Sequence, residues 1–291
     1  MRGILRRKEN KMDVSVIIPL YYGEEYVDGL KAMVKRAFKD AGIKGEIIFV
    51  IDDGGDYVQP DGDCIKVVRH EVNMGIHLSR ADGFREACGT WVHFLDQDDR
   101  ICKEFYSTLI PVAKKADVAV ANGCIDYKDG AKKLLYYNKV ERDMVSSQQA
   151  YIYLDNRIIS PGQCLIKREA IPDYWLSHVM QINGADDMLL WMVMMSLDKT
   201  FKAVPHVLYH HRDTGENTSD DDERMLLSFI EMNMFYQRFE QGRYKKQLAA
   251  KTKALEGKSS FNLAGITQSM RKVRISFLKT VRKGWIRKGD R

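Results

Sequence analysis

No segment of the 291-residue chain approaches the roughly 18 uninterrupted apolar residues that a membrane-spanning helix requires, so an integral membrane protein is not expected. The five cysteines, Cys64, Cys88, Cys102, Cys124 and Cys164, are odd in number and scattered, with neither a CxxC pair nor the ligand spacing of a zinc site. They read as reduced packing residues. Internal repeats and low-complexity linkers are also missing, which excludes solenoids and strings of small modules. The opening MRGILRRKENKMDVSVII has a basic patch but no apolar run of signal-peptide kind before the first strand. Export is therefore not expected, and the cytosol is the expected compartment.

What is present describes a globular protein, with 45% hydrophobic and 30% charged residues and length enough for a sizeable core. The net charge of +6 hides an asymmetry. From Arg243 to Arg291 there are 15 Lys and Arg against Glu256 and Asp290, or +13, so the other 242 residues carry −7. The body is acidic and the tail basic. In the tail, Ile266, Met270, Val273, Phe277, Leu278, Val281 and Trp285 recur at helical period with Lys and Arg between them. A basic amphipathic helix over 266–285 suits an anionic membrane surface, which would make the protein peripheral on the inner face of the plasma membrane. The alternative is packing on the body or on a partner subunit, which leaves a homo-oligomer open. Nucleic acid is not expected as a partner, because no recognition motif accompanies the stripe.

Strand-like runs alternate with helical patterns through the first half. VSVII (14–18) ends at Pro19, and apolar positions from Tyr26 to Phe38 recur at helical spacing up to Gly42. EIIFVI (46–51) closes on Asp52, Asp53, Gly54 and Gly55; CIKVVRH (64–70) precedes a helix ending at Gly89; WVHFL (91–95) runs into DQDD. This order predicts an α/β fold with a parallel, doubly wound sheet. The second half predicts a strand at VAVANGCIDY, a hairpin or excursion over 132–144, and a strand after Ser160-Pro161-Gly162. A helix opening on Asp186 and Asp187, a strand to Asp213 and a helix capped by Ser219 follow. The expected organisation is a basic tail (1–12) and a folded body (13–220, its halves 13–100 and 101–220). A helical extension (221–291) completes it.

In a parallel sheet every strand delivers its carboxyl end to one edge, where ligands bind. The segment 19–24, the pair Asp52 and Asp53, and the stretch Asp96 to Asp99 would therefore converge. Two carboxylates about 4 Å apart repel by roughly 1 kcal/mol in water and roughly 4 kcal/mol near a protein surface. Asp96, Asp98 and Asp99 therefore either form a solvated acidic turn or await a cation.

Four segments in order carry a resemblance: VSVIIPLYYGEEYV, EIIFVIDDGGD, NMGIHLSRADGFREACGTWVHFLDQDD and GADDMLLW. Together they resemble the family-2 glycosyltransferases of the GT-A fold, inverting enzymes that use nucleotide-sugar donors. The resemblance implies that Asp96, Asp98 and Asp99 serve a manganese or magnesium ion bridging to the donor diphosphate. Asp98 is read as holding ribose or metal and Asp96 or Asp99 as reaching the cation. It implies that Asp53, with Asp52 beside it, accepts a hydrogen bond from a uracil or thymine ring; capping the turn at Gly54 is the alternative. Pro19, Tyr21 and Glu24 would flank the base, and Arg80 would make a diphosphate or structural contact. Asp187 would be the catalytic base, with Asp186 where the family usually has Glu, a change that bears on acceptor binding. Arg212 would grip the diphosphate, with His210 or His211 near it. Asp82 stands where Asn is common in the family, and adds a negative charge without evident purpose. The implied donor is a UDP-sugar and the implied acceptor a glycan or lipid-linked glycan, in cell-surface polysaccharide synthesis.

Rival readings are weaker. A sugar nucleotidyltransferase needs a Gly-rich, basic phosphate loop after the first strand, where this chain has PLYYGEEYV. A dinucleotide oxidoreductase needs the missing GxGxxG. A non-catalytic sugar-nucleotide-binding module stays open, because carboxylates alone do not prove turnover.

Overall fold

The β-branched run at the start forms β1 (Val14–Leu20), buried along its whole length, as a strand covered on both faces must be. Its alternate residues feed opposite cores: Ile17 joins one apolar cluster, Val16, Ile18 and Leu20 the other. A computed structural model describes residues 12–256, apart from 63, 154, 214–221 and 242. β1 leads into α1 (Val27–Ala41), β2 (Gly45–Ile51), β3 (Ile65–Arg69), α2 (Ile76–Glu86) and β4 (Trp91–Phe94). Next come β5 (Arg100–Ile101), α3 (Phe105–Ala113), β6 (Val118–Asp126), β7 (Lys132–Leu134), α4 (Lys139–Asp143) and α5 (Gln148–Ile152). The described chain ends with β8 (Cys164–Lys167), α6 (Asp173–Ser177), α7 (Asp186–Ser196), β9 (Phe201–Arg212), α8 (Asp222–Phe239) and α9 (Lys245–Glu256).

The sheet runs β3-β2-β1-β4-β8-β6-β9-β5, with β7 on β6. The expected parallel arrangement holds for β3, β2, β1 and β4, and for β6 with β9. It stops at β8, which lies antiparallel between β4 and β6, while β5 and β7 are antiparallel edge pieces. Strand direction leaves no mark in a short apolar run, so this reversal belongs to the tertiary structure alone.

β1 continues two residues beyond the predicted end at Ile18, and Pro19 is buried within it rather than opening the loop. The geometry tolerates this. Pairing with β4 ends at Ile17, which accepts from the Leu95 N–H, so the missing Pro19 donor faces a side with no ladder to complete. The expected excursion over 132–144 resolves into exposed β7 and the short α4, capped by Asn138.

α7 is buried on every side from Asp186 to Met195, as a helix apolar around its circumference must be. α8 covers it. Ser228 accepts from the Ala185 N–H (2.9 Å), and Glu231 accepts from the backbones of Gln181 and Ile182 (2.9–3.1 Å). Met232, Tyr236 and, from α9, Leu248 join the core. Glu231 and Ser228 thus hold the loop that aims the first turn of α7 at the sheet edge. The basic stripe over 266–285 and the Ser219 cap lie outside the described residues, as do residues 1–11.

Candidate active site

α2 lies close on the sheet at Gly83, where a β-carbon would meet Ile17 Cγ2 at 2.4 Å, and this approach sets Arg80 beneath the rim. The buried Arg80 guanidinium spans two segments. Its Nη1 donates to Asp186 Oδ2 (2.7 Å) and its Nη2 to Asp96 Oδ1 (2.6 Å). One cation thereby joins the DQDD stretch to the start of α7, 90 residues further along the chain from Asp96 to Asp186. Ser160 Oγ also donates to Asp96 (3.1 Å), and Trp175 Nε1 fixes the Asp186 carbonyl (2.8 Å). Burial opposes ionisation of Asp96, but the Arg80 charge and hydrogen bond outweigh it and hold that carboxyl below its ordinary value.

The three acids of DQDD have different surroundings. Asp99 is buried and committed: it accepts from the Tyr209 hydroxyl, His211 Nδ1 (3.1 Å) and the Arg212 N–H (3.2 Å). Asp98 is half-buried, and no ion pair or side-chain hydrogen bond to it is found among the described residues. Burial, then the charges of Asp99 and Asp96, push its carboxyl up to about 6. His211 faces it. Burial would lower this imidazole, but the Asp99 bond and the charges of Asp99, Asp96 and Asp98 push it up to about 9. A cationic histidine thus sits beside a carboxylate short of positive charge.

Asp187 lies next to the Arg80 bridge, 7% exposed. Burial first, then the Asp186 charge, raises its carboxyl well above the ordinary range, against the pull of Arg80. Its side-chain hydrogen bond comes from the Met188 N–H (2.6 Å).

The nucleotide-base segment is tied to the same rim through Gln97, which sequence reasoning passed over. Gln97 Oε1 accepts from the Tyr21 N–H (2.9 Å) and Gln97 Nε2 donates to the Tyr21 carbonyl (3.2 Å). This clamp holds the loop with Tyr21 and Tyr22 exposed, Tyr22 at φ 48°. A left-handed non-glycine residue costs about 1 kcal/mol and needs such anchoring. Asp53 supplies the rest: it accepts from the N–H of Tyr22 (2.5 Å), the N–H of Gly55 (2.8 Å) and the hydroxyl of Tyr57 (2.9 Å). The turn-capping alternative for Asp53 is therefore present in the structure. Glu24 is exposed at the start of the turn before α1. Tyr26 is pushed up by burial, then by the charges of Glu25 and Asp98, while the Arg212 charge pulls it down. An open hollow of about 560 Å³ is lined by Gly54, Gly55, Asp56, Arg69, His70 and Glu71 among others, and by none of the DQDD acids.

Asp52 is a structural anchor. Its oxygens accept from the Met74 and Gly75 N–H groups (2.8 and 2.9 Å) and meet His70 Nδ1 at 2.6 Å. Gly75, at φ 89°, adopts a backbone open to glycine, and that conformation turns its N–H onto Asp52. The other face of His70 meets Asp82 at 3.0 Å, and Asp82 also binds Arg85. The unexplained Asp82 thus has a role: an asparagine there would bring no charge to the half-buried imidazole. The sequence signal was weak, an Arg three residues after the Asp on one helix.

Of the predicted residues, the structure joins Arg80, Asp96 and Asp186 directly. It places Asp98, Asp99, Asp187 and the backbone of Arg212 around them, and ties Tyr21 to them through Gln97. Asp52 and Pro19 lie inside the scaffold.

The fold is shared with solved structures of S. aureus TarS. S. aureus TarS (residues 1–349, in complex with UDP-GlcNAc) superposes with a TM-score of 0.57 over 78% of this chain and 67% of that one, at 16% identity. Curated relatives include an uncharacterized glycosyltransferase, EpsJ, of Bacillus subtilis, 27% identical over 42% of this chain and 36% of that protein. Another is the GalNAc(5)-diNAcBac-PP-undecaprenol beta-1,3-glucosyltransferase of Campylobacter jejuni, 27% identical over 48% of this chain and 47% of that protein. The chain spans about a third to a half of the length of these curated relatives. Residues 15–175, more than half of the chain, match the model of glycosyl transferase family 2, and the chain belongs to that family.

Proposed function

We propose that the chain is a metal-dependent, inverting glycosyltransferase that moves a sugar from a UDP-sugar to a glycan or lipid-linked acceptor in cell-surface polysaccharide synthesis. The observation that carries this reading is the Arg80 bridge. It sets the acidic turn that would meet the donor and the helix start that would meet the acceptor at one rim. The donor class draws support from the S. aureus TarS complexes, whose names give UDP-GlcNAc and UDP, and the acceptor class from the undecaprenol-linked glycan named for the C. jejuni relative.

The residues suit a hard divalent ion. Asp98 offers a carboxylate with no ion pair among the described residues, whose pKa burial, then the charges of Asp99 and Asp96, push up to about 6. Asp98 would hold manganese or magnesium, with Asp96 and Asp99 supplying charge around it while bound to Arg80, Ser160, Tyr209 and His211. When bound, such an ion offsets the charge that grows on the departing diphosphate. His211 and Arg212, anchored on Asp99, would add positive charge beside the phosphates. Tyr21, Glu24 and Asp53 would receive the base, with Pro19 and Asp52 setting the strand and loop that carry them. Asp187 would take the proton of the acceptor hydroxyl as it attacks the anomeric carbon, on the face opposite the leaving group. Its raised pKa gives it proton affinity that an exposed aspartate lacks. Asp186, gripped by Arg80, would position it. The body 13–220 would divide into a donor half to residue 100 and an acceptor half beyond it, with α8 and α9 of the extension packed on the core and the basic stripe over 266–285 presenting the enzyme at the membrane.

Purified protein incubated with a panel of sugar nucleotides and manganese is expected to release nucleoside diphosphate slowly from a uridine donor, and to stop on chelation. Pyrophosphate release from a nucleoside triphosphate and a sugar phosphate would instead identify a nucleotidyltransferase. Donor binding without turnover, with acceptor glycans supplied, would identify a silent binding module.

A further inference from the structure

Behind the acidic rim, on the opposite face of β9, lies a second group of ligand-type side chains that the transfer reaction does not use. Cys124 Sγ is 3.1 Å from His210 Nδ1 and 3.2 Å from Asp126 Oδ1, and His210 Nδ1 is 3.1 Å from Asp126 Oδ2. We propose that Cys124 Sγ, the Asp126 carboxylate and His210 Nδ1 form a binding site for a soft divalent transition-metal ion of the zinc class, distinct from the site at Asp98.

The sheet explains the grouping. β6 and β9 run parallel with Cys124 in register with His210, and Cys124 and Asp126, two residues apart, share a face of β6. His211, one residue on, points to the other face and binds Asp99. Their ligand atoms all lie within 4.8 Å of one another. Metal–ligand lengths of about 2.0–2.3 Å at tetrahedral angles put ligand atoms roughly 3.3–3.6 Å apart, so an opening of a few tenths of an ångström seats the ion. Cys102 Sγ lies 3.9 Å from His210 Nε2, on the far side of the ring. A proton on Nε2 directed at that sulfur leaves Nδ1 with its lone pair toward Cys124 and Asp126, the outer contact that metal-binding histidines use.

Cys124 is buried, whereas the side chains of Asp126 and His210 are about a quarter exposed, so solvent can supply the fourth ligand. Lys132 now pairs with Asp126 Oδ1 at 3.2 Å, but its side chain is 61% exposed and free to swing into water. A thiolate and an imidazole favour zinc or cobalt over magnesium or manganese. Binding transfers the Cys124 thiol proton to solvent and ties β6 to β9, the strand whose Tyr209 and His211 hold Asp99.

The test uses tag-free, metal-stripped full-length protein titrated with Co2+ in excess Mg2+. The expected result is one bound cobalt per chain with a near-ultraviolet thiolate-to-cobalt absorption, displaced by Zn2+. Cys124→Ser is expected to abolish the band, and His210→Asn and Asp126→Asn to weaken binding at least about 100-fold. Their melting temperatures without metal should stay near that of the parent, which separates ligand loss from misfolding. A Cys64→Ser/Cys88→Ser double variant, lacking two exposed thiols elsewhere, should keep the band. The proposal falls if the parent shows no thiolate band, if the band survives in Cys124→Ser, or if the double variant loses it.

Discussion

At Asp187 burial and the neighbouring Asp186 both disfavour the charge that a catalytic base must carry. Between the ordinary carboxylate pKa near 3.9 and the raised native value, the folded protein holds a proton that the unfolded chain sheds. Stability therefore falls as pH rises through that window. Asp187→Asn removes the base and this penalty together. Transfer is expected to drop by about a thousandfold, while the variant melts higher than the parent at pH 8 and equally at pH 4. Paired melts and turnover assays check both; a variant that melts lower at pH 8 would contradict the buried-charge account. The aspartate pair at a helix start was legible in the sequence. Its proton affinity was not, because that depends on packing by residues distant along the chain and on Arg80. Sequence likewise read Asp98 as holding ribose or metal and left open which of Asp96 and Asp99 reaches the cation. The structure separates them by partner: Arg80 for Asp96, β9 for Asp99, and for Asp98 no ion pair among the described residues.

Among the elements, the junction of β3 with α2 shows how a half-buried histidine holds two carboxylates. Burial alone would lower His70, but hydrogen bonds to Asp52 and Asp82, with their charges, push it up to about 9 from an ordinary value of 6.5. The folded state thus holds this proton more tightly. Its contribution is complete below about pH 6.5 and is lost as pH rises through about 9. His70→Gln is expected to cost roughly 2 kcal/mol at pH 6, a fall of about 4–8 °C in melting temperature, and close to nothing above pH 9. Thermal melts of parent and variant across pH 6 to 10 isolate the effect, since other titrating groups are common to both. A gap that stays constant over this range would exclude the histidine's charge as the cause. Sequence showed the strand, the helix and the glycine turn between them, since each has a local pattern. It could not show that Asp52 anchors that turn instead of facing solvent beside Asp53, because both follow β2 in the same acidic string.

For the whole molecule, the acidic body and the basic tail divide the charge. No helix among the described residues is long and apolar enough to cross a membrane. The apolar stripe with Lys and Arg between its positions leads us to expect attachment through the tail. Removing residues 258–291 should leave α9 and its buried Leu248 intact. The shortened protein is expected no longer to cosediment with anionic liposomes, yet still to hydrolyse donor at a rate within about twofold of the parent, because the basic apolar stripe expected to meet the membrane lies apart in sequence from the acidic rim. Liposome binding that survives the deletion would reject membrane attachment by this segment.

Sequence by itself determined the alternation of strands and helices, the acidic strand end, the aspartate pair opening α7 and, through four ordered segments, the family. These are local patterns of hydrophobicity and residue type, so one chain suffices to read them. Only the tertiary structure decided that β8 runs against its neighbours, that Arg80 joins Asp96 to Asp186, and that Gln97 clamps the Tyr21 loop. It also decided that adjacent His210 and His211 serve opposite faces of one strand. Each of these depends on which distant segments pair, and burial and charge act on a side chain through neighbours that sequence order does not reveal.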